Sequence, residues 1–200
     1  MINYPNGKKI NINNQKIIQK GNLGASLEDD LNKTNRYYRD HGIALIHKKP
    51  TPIQIVKVDY PKRSKAKIVE AYYKQASTTD YNGIYKGFSI DFEAKSTKNK
   101  TRIPLNTIHE HQIEHLRQVS YHKGHAYLII RFSTFEETYL LEFESFEKFI
   151  KTNTQRSLPY EWLKKEAYLC ESTYLKPCDY IAGIEASLQN KGVLTHVKQT

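Results

Sequence analysis

The chain is short of cysteine, of acidic side chains and of long apolar runs, and each shortage excludes something. Two cysteines in 200 residues, Cys170 and Cys178, cannot build a disulfide framework and lack the spacing partners of a zinc site. One bridge is the most they could form, and two reduced thiols are the expected state. No apolar run approaches membrane-spanning length, and residues 1–7 carry no apolar core of the secretory type. A soluble, cytoplasmic protein is expected, in which the sequon Asn99-Lys100-Thr101 goes unused. The acid deficit is 21 Asp and Glu against 31 Lys and Arg, giving a net charge of +10. A partner rich in negative charge follows, either nucleic acid or an acidic membrane surface.

The length suits one domain with a real core. Residues 1–24 are polar, rich in Asn and Lys, and without period, which predicts a flexible basic arm. Residues 25–200 read as a single domain. Ser26 opens a helix with Asp29 in capping-box position, and Glu28, Asp29 and Asp30 lie in the first turn, where the helix dipole favours negative charge. Gly42 ends it. Ile43-Ala-Leu-Ile-His47 predicts a short buried strand. After the stiff link Lys48-Lys-Pro-Thr-Pro52, Ile53 to Tyr60 alternate as a strand with one exposed face. Pro61 to Lys67 form a dense basic turn, and Ile68 to Lys74 fit a strand or a short helix. The stretch from about 49 to 76 is too basic to bury and should project from the core.

A hairpin follows, turning at Asn82-Gly83 or at Lys86-Gly87. Thr107 is the expected cap of a helix reaching about Tyr121. His125 to Phe132 and Thr138 to Phe143 have the apolar content of central strands. Helices are expected at about 144–152, 158–167 and 178–190, with Trp162 and most of the fifteen tyrosines serving packing. The fold class is α/β: a mixed central sheet flanked by helices, with a protruding basic segment.

Asp80-Tyr-Asn-Gly-Ile-Tyr-Lys-Gly-Phe-Ser-Ile-Asp-Phe-Glu93-Ala-Lys95 carries the chemistry. A phosphodiester is an anion and resists attack, so its hydrolysis calls for a cation and an activated water. Mg²⁺ prefers hard oxygen ligands and takes few from protein; Asp80 and Glu93 supply two carboxylates. Strand alternation puts Asp91, Glu93 and Lys95 on one face, with Glu93 and Lys95 about 6–7 Å apart. Lys95 can orient the attacking water or stabilise the charged transition state. Asp91 lies deeper, or one step short of the metal. The same pattern occurs as solvated hairpin charge; the basic surroundings and the entry Thr78-Thr79-Asp80 favour the nuclease. Lys98, Lys100 and Arg102 form a basic loop suited to phosphate contact. His111 and His115 have an i, i+4 zinc spacing but no third ligand, so with His109 they read as solvated or DNA-facing.

The chain resembles the RecU family of Holliday-junction resolvases, in the PD-(D/E)xK nuclease superfamily. The matching stretches include Gly24-Ala-Ser-Leu-Glu-Asp-Asp30, Val58-Asp-Tyr-Pro-Lys-Arg-Ser64, Ser77-Thr-Thr-Asp-Tyr-Asn-Gly83, Ile90-Asp-Phe-Glu-Ala-Lys95 and His109-Glu-His-Gln-Ile-Glu-His115. They span roughly residues 24–145; residues 146–200 match loosely. The resemblance implies a homodimer that cuts four-way DNA symmetrically during recombination and repair, with one metal site per subunit. It implies Mg²⁺, with Mn²⁺ able to substitute, and in-line hydrolysis that leaves a 5′-phosphate and a 3′-hydroxyl. It places Thr78, Asp80, Glu93 and Gln112 in the metal shell and Lys95 as the transition-state lysine. Glu28 becomes a supporting acid. Arg63, with Lys62 and Lys65, falls in a stalk that enters the junction, and Tyr73 is an aromatic near it. Cations there would meet converging phosphates, and an aromatic could stack on an unpaired base. Recombinase or branch-migration proteins are further partners. Two features depart from the pattern: Thr79 stands where the superfamily has proline, and Leu23-Gly24-Ala25 replaces Arg-Gly-Met. Two rival readings are a PD-(D/E)xK nuclease on other branched or duplex DNA, and a catalytically silent protein that binds junctions or anneals strands.

Overall fold

A computed structural model describes residues 26–74 and 78–194. The arm expected at 1–24 lies outside them. The first described element is helix α1 (Leu27–Asp40). Ser26 Oγ accepts from Asp29 N at 3.1 Å, and the Asp29 carboxylate accepts from Ser26 N at 3.3 Å, so the expected capping box is present. Leu27, Leu31, Thr34 and Tyr38 form its buried face. Gly42, at φ +65°, turns the chain out of the helix.

The strands follow in chain order as β1 (Leu45–Lys48), β2 (Ile53–Asp59), β3 (Lys67–Tyr73), β4 (Tyr81–Tyr85) and β5 (Phe88–Thr97). Next come β6 (Arg102–Pro104), helix α2 (Glu110–Tyr121), β7 (His125–Phe132), β8 (Glu137–Glu142) and helix α3 (Phe143–Thr152). The chain closes with β9 (Ser157–Pro159), helix α4 (Tyr160–Glu166), β10 (Tyr168–Leu169) and helix α5 (Ile181–Asn190). Six strands make the central sheet in the order β1-β4-β5-β7-β8-β10, and β5 and β7 form its one parallel pair. The mixed α/β class is therefore observed. Strand β7 is buried on both faces, which explains its nearly unbroken apolar run. Phe92, Tyr127 and Ile129 pack on one side with Leu31 and Tyr38 of α1 and Ile184 and Leu188 of α5. Leu128 and Ile130 pack on the other with Leu116 of α2 and Phe146 of α3. Each such large side chain contributes about 1.5–3 kcal/mol on full burial.

Strand β1 is not the buried strand expected. It sits at the sheet edge with β4 as its partner, and only Ile46 is buried along it. The hairpin turn falls at Lys86-Gly87, both with positive φ as a two-residue turn requires. Asn82-Gly83 instead runs inside β4, where Gly83 faces Ile46 across the ladder. A Cβ at Gly83 would meet Leu45 O at 2.0 Å, and backbone cannot yield as a side chain can. Gly83→Ala is expected to push β1 off the sheet and to cost about 1–3 kcal/mol in denaturant unfolding. An unchanged midpoint would show that β1 moves freely.

Strands β2 and β3 leave the central sheet and pair only with each other. The expectation of one exposed face for β2 is corrected: every residue of it is exposed, because no layer of the described residues packs on either side of the ribbon. The segment left open between strand and helix is β3. A single 3₁₀ turn at Arg63–Lys65 joins the two strands.

Thr107 does not cap α2. Its hydroxyl donates backwards to Pro104 O at 2.7 Å, closing a 3₁₀ turn, and the helix begins three residues later. Residues 158 and 159, expected in a helix, belong to β9, which pairs with β6. The last helix starts at Ile181 rather than at 178, because Cys178 N donates to Thr34 Oγ1 at 3.1 Å and the Tyr180 ring fills the core. Both thiols are free and buried. Among the described residues, no helix is long and apolar enough to cross a membrane.

Candidate active site

The alternation of β5 decides what surrounds its carboxylates. Phe92 faces α1 and stacks on Tyr81, with ring centroids 4.9 Å apart. Asp91, Glu93 and Lys95 therefore take the opposite face, on the side that α2 covers. The ladder pairs Tyr81 with Phe92, so Asp80 enters opposite Glu93. Asp80 N donates to Glu93 Oε2 at 3.1 Å, and Lys49 N donates to Asp80 O at 2.7 Å. The backbone thus fixes Asp80 between the edge strand and Glu93.

Glu93 has no exposed side-chain surface, and Lys95 Nζ stands 2.6 Å from its Oε1. That contact is an ion pair without hydrogen-bond alignment, so Oε1 has no hydrogen-bond donor. Burial first, then the negative charge of Asp80, push the Glu93 carboxyl up to about 7 from an ordinary 4.5, against the pull of Lys95. Two carboxylates close enough to repel, one with an orphaned buried oxygen, form a site that a cation would relieve. The donors are hard oxygens, which suits Mg²⁺. Among the described residues no group of three or more His, Cys, Asp and Glu side chains is placed to hold a metal ion, so the fit rests on this carboxylate pair.

Thr78 is half-buried just before the pair, with its hydroxyl 3.4 Å from Thr79 O. Glu28, in the first turn of α1, is ion-paired with Lys48. Burial, then the charges of Glu28 and Asp80, raise the Tyr81 hydroxyl. Gln112 is buried in the first turn of α2, but its Oε1 accepts from His109 N at 3.0 Å, so the oxygen is already engaged in capping. Lys62 and Lys65 are exposed at the tip of the β2–β3 ribbon, and Arg63 lies in the turn between them. Tyr73 is 84% exposed and pairs with Ile53, at the foot of the ribbon rather than its tip. Lys98 and Lys100 are exposed in the loop after β5.

Sequence reasoning missed the group behind the pair. Asp91 is buried, its Oδ1 accepts from the Thr79 hydroxyl, and its Oδ2 accepts from Lys49 Nζ at 2.9 Å. Lys49 Nζ also donates to Thr79 Oγ1 at 2.9 Å. His115 Nε2 lies 3.2 Å from Asp91 Oδ2 and 3.4 Å from Lys49 Nζ. This corrects the reading of His115 as solvated or DNA-facing: α2 turns it inward onto β5. His111 Nε2 is likewise buried.

The family model RecU, described as Recombination protein U, matches residues 22–186, well past residue 145. A Holliday junction resolvase RecU from Oceanobacillus iheyensis is 49% identical over 92% of this chain and 98% of that protein. One from a Geobacillus species is 54% identical over 82% of this chain and 84% of its own length. Another, from Staphylococcus aureus, is 46% identical over 92% of this chain and 95% of its own length. With a model match over most of its length and relatives near half identity, the chain belongs to the RecU family.

Proposed function

We propose that the protein is a metal-dependent endonuclease that resolves four-way Holliday junctions by paired symmetric nicks in DNA recombination and repair, in the cytoplasm. The observation that carries the chemistry is the fully buried Glu93 between Asp80 and Lys95. Asp80 and Glu93 would hold Mg²⁺, with Mn²⁺ as a substitute, and Thr78 and Gln112 would complete the shell once Gln112 Oε1 releases His109 N. When bound, the metal supplies positive charge against the phosphate and lowers the pKa of water. Lys95 holds its ammonium against Glu93 Oε1 and so offers charge to the phosphorane-like transition state. Burial excludes bulk water, which strengthens both interactions. Glu28 supports the corner through Lys48.

The substrate class rests on the relatives' names and on the ribbon. Lys62 and Lys65 present cations at its tip, on either side of Arg63 in the turn, where strands converge in a junction, and Tyr73 offers a stacking face. Two-stranded ribbons are marginal alone. Here Ile53, Ile55, Val58, Ile68 and Val69 are exposed on a ribbon that no layer of the described residues covers, which favours a second copy packed against it. A twofold dimer would bring two identical sites to two equivalent strands.

Cleavage of a mobile four-way junction beside a linear duplex of the same sequence tests this. Paired nicks in the junction alone are expected with Mg²⁺, lost in EDTA and in Asp80→Ala. Equal cutting of the linear duplex would make it a general nuclease. Tight junction binding without nicks in any metal would make it a silent binder.

A further inference from the structure

The strand that carries Glu93 and Lys95 runs straight into a basic surface that continues well past the loop. After β5 the chain exposes Lys98 and Lys100, then enters β6, whose partner is β9. Ile103 and Leu158 face each other in this small sheet and are both buried in the core. Alternation then turns Arg102 and Pro104 outward. Arg156, just before β9, accepts Leu105 N on its carbonyl at 3.0 Å, so its backbone is fixed while its side chain stays exposed. Between these segments lies an open cleft of about 610 Å³, lined by Arg102, Asn106, Gln155, Arg156 and Ser157 among others, with no acidic side chain.

Two features separate this surface from ordinary solvated charge. First, its cations are unneutralised: among the described residues, Lys98, Lys100, Arg102 and Arg156 form no ion pair, whereas Lys48, Lys49, Lys86 and Arg117 do. Second, the loop is held in place. Asn99 Oδ1 accepts from Thr101 N at 2.9 Å, Thr101 Oγ1 at 3.1 Å and Arg102 N at 3.3 Å, and Thr134 Oγ1 donates to Lys98 O at 2.7 Å. A ligand that pairs with these cations would therefore order little backbone on binding.

We propose that the cleft between Arg102 and Arg156, with Lys98 and Lys100 leading into it, is a phosphate track that grips the backbone of a double-helical DNA arm as it leaves the cutting site. Asn106, Gln155 and Ser157 supply neutral hydrogen-bonding groups to the same phosphates, which positions the duplex without reading its sequence. The track rests on the nuclease reading for its biological use, but not for its binding chemistry.

Binding of a labelled linear duplex and of a four-way junction is measured in EDTA over a range of salt. Wild type is compared with Arg102→Gln/Arg156→Gln and with Lys86→Gln/Lys123→Gln, which removes two charges at the other end of β5. The arginine variant is expected to bind both DNAs more weakly whatever their sequence, with a log–log salt slope shallower by about 2. Its melting temperature should be unchanged because both side chains are exposed. The lysine control should leave the slope alone. An arginine variant with the wild-type slope and affinity overturns the track, as does a control that lowers the slope equally. If wild type nicks no DNA but the arginine effect holds, the nuclease reading fails and the track stands.

Discussion

Glu93→Gln is expected to abolish strand cutting and, in the same protein, to raise the metal-free melting temperature at pH 8. The first half follows from position. The carboxylate is one of two that would hold the metal, and an amide keeps its shape without its charge. A loss of at least about 10³-fold in nicking is expected, since removal of a single well-placed electrostatic group commonly costs that much. The second half follows from burial. Glu93 titrates near 7 in the folded chain, against an ordinary value of 4.5. A raised carboxyl pKa means that the folded state holds its proton more tightly than the unfolded state. Its stabilising contribution is complete below about pH 4.5, is lost as pH rises towards 7, and stays lost above. The difference is roughly 3 kcal/mol at pH 8. Glutamine carries no charge to desolvate, so it recovers part of that amount. The attraction of Lys95 is already contained in the net upward shift. A gain of several degrees is expected at this chain length. Melts of both proteins in EDTA at pH 5 and pH 8 check it: the two should converge at pH 5 and separate at pH 8. A variant that melts below wild type at pH 8 would mean that the ion pair with Lys95 outweighs desolvation.

This opposition between activity and stability explains why the site was legible at all. Chemistry needs charge where packing would put none, so the sequence must break its apolar alternation there. Asp91, Glu93 and Lys95 interrupt β5 on one face while Ile90, Phe92 and Ala94 continue the core on the other, and that interruption is visible without a structure. Local signals were equally readable. The Ser26–Asp29 box is decided by side chains three residues apart, whereas the hairpin turn had two candidates, Asn82-Gly83 and Lys86-Gly87, and the pairing of β4 with β1 and β5 selects the second. What could not be read depends on partners far along the chain. Strand β1 looked buried because its residues are apolar, but an edge position is set by which strands fail to join it. Thr107 looked like a helix cap, and its hydroxyl went to Pro104 instead. Lys49 carries no local mark that distinguishes it from Lys48, yet one pairs with Asp91 on β5 and the other with Glu28 on α1.

The largest expected loss of stability therefore belongs to a residue that the chemistry does not touch. Asp91→Ala removes the one acceptor shared by the Thr79 hydroxyl and the Lys49 ammonium, and the carboxylate against which His115 rests. The Lys49 side chain is 19% exposed, so its charge would be left largely out of water with only Thr79 Oγ1 and His115 nearby. Breaking a buried pair from one side costs about 3–5 kcal/mol, more than the pair itself contributes, because the stranded charge pays its desolvation alone. A fall in melting temperature of roughly 10 °C is expected at this chain length. Asp91→Asn should lose less, since its amide oxygen still accepts from Thr79. Replacing Lys49 as well should restore part of the loss: Lys49→Met in the Asp91→Ala background is expected to melt above Asp91→Ala alone, because the coupled residues do not add. Additive losses, or an Asp91→Ala protein that melts within about a degree of wild type, would show that solvent reaches the cluster and that its charges are not buried in effect. Thr79 joins this cluster to the site. It lies between Thr78 and Asp80, and its hydroxyl is anchored to β5 through Asp91 while the Asp80 backbone is anchored to β5 through Glu93. Loosening the first anchor leaves Asp80 held by Glu93 and by the Lys49 backbone alone, so residual cutting by Asp91→Ala should require more Mg²⁺ than wild type at a temperature where both are folded.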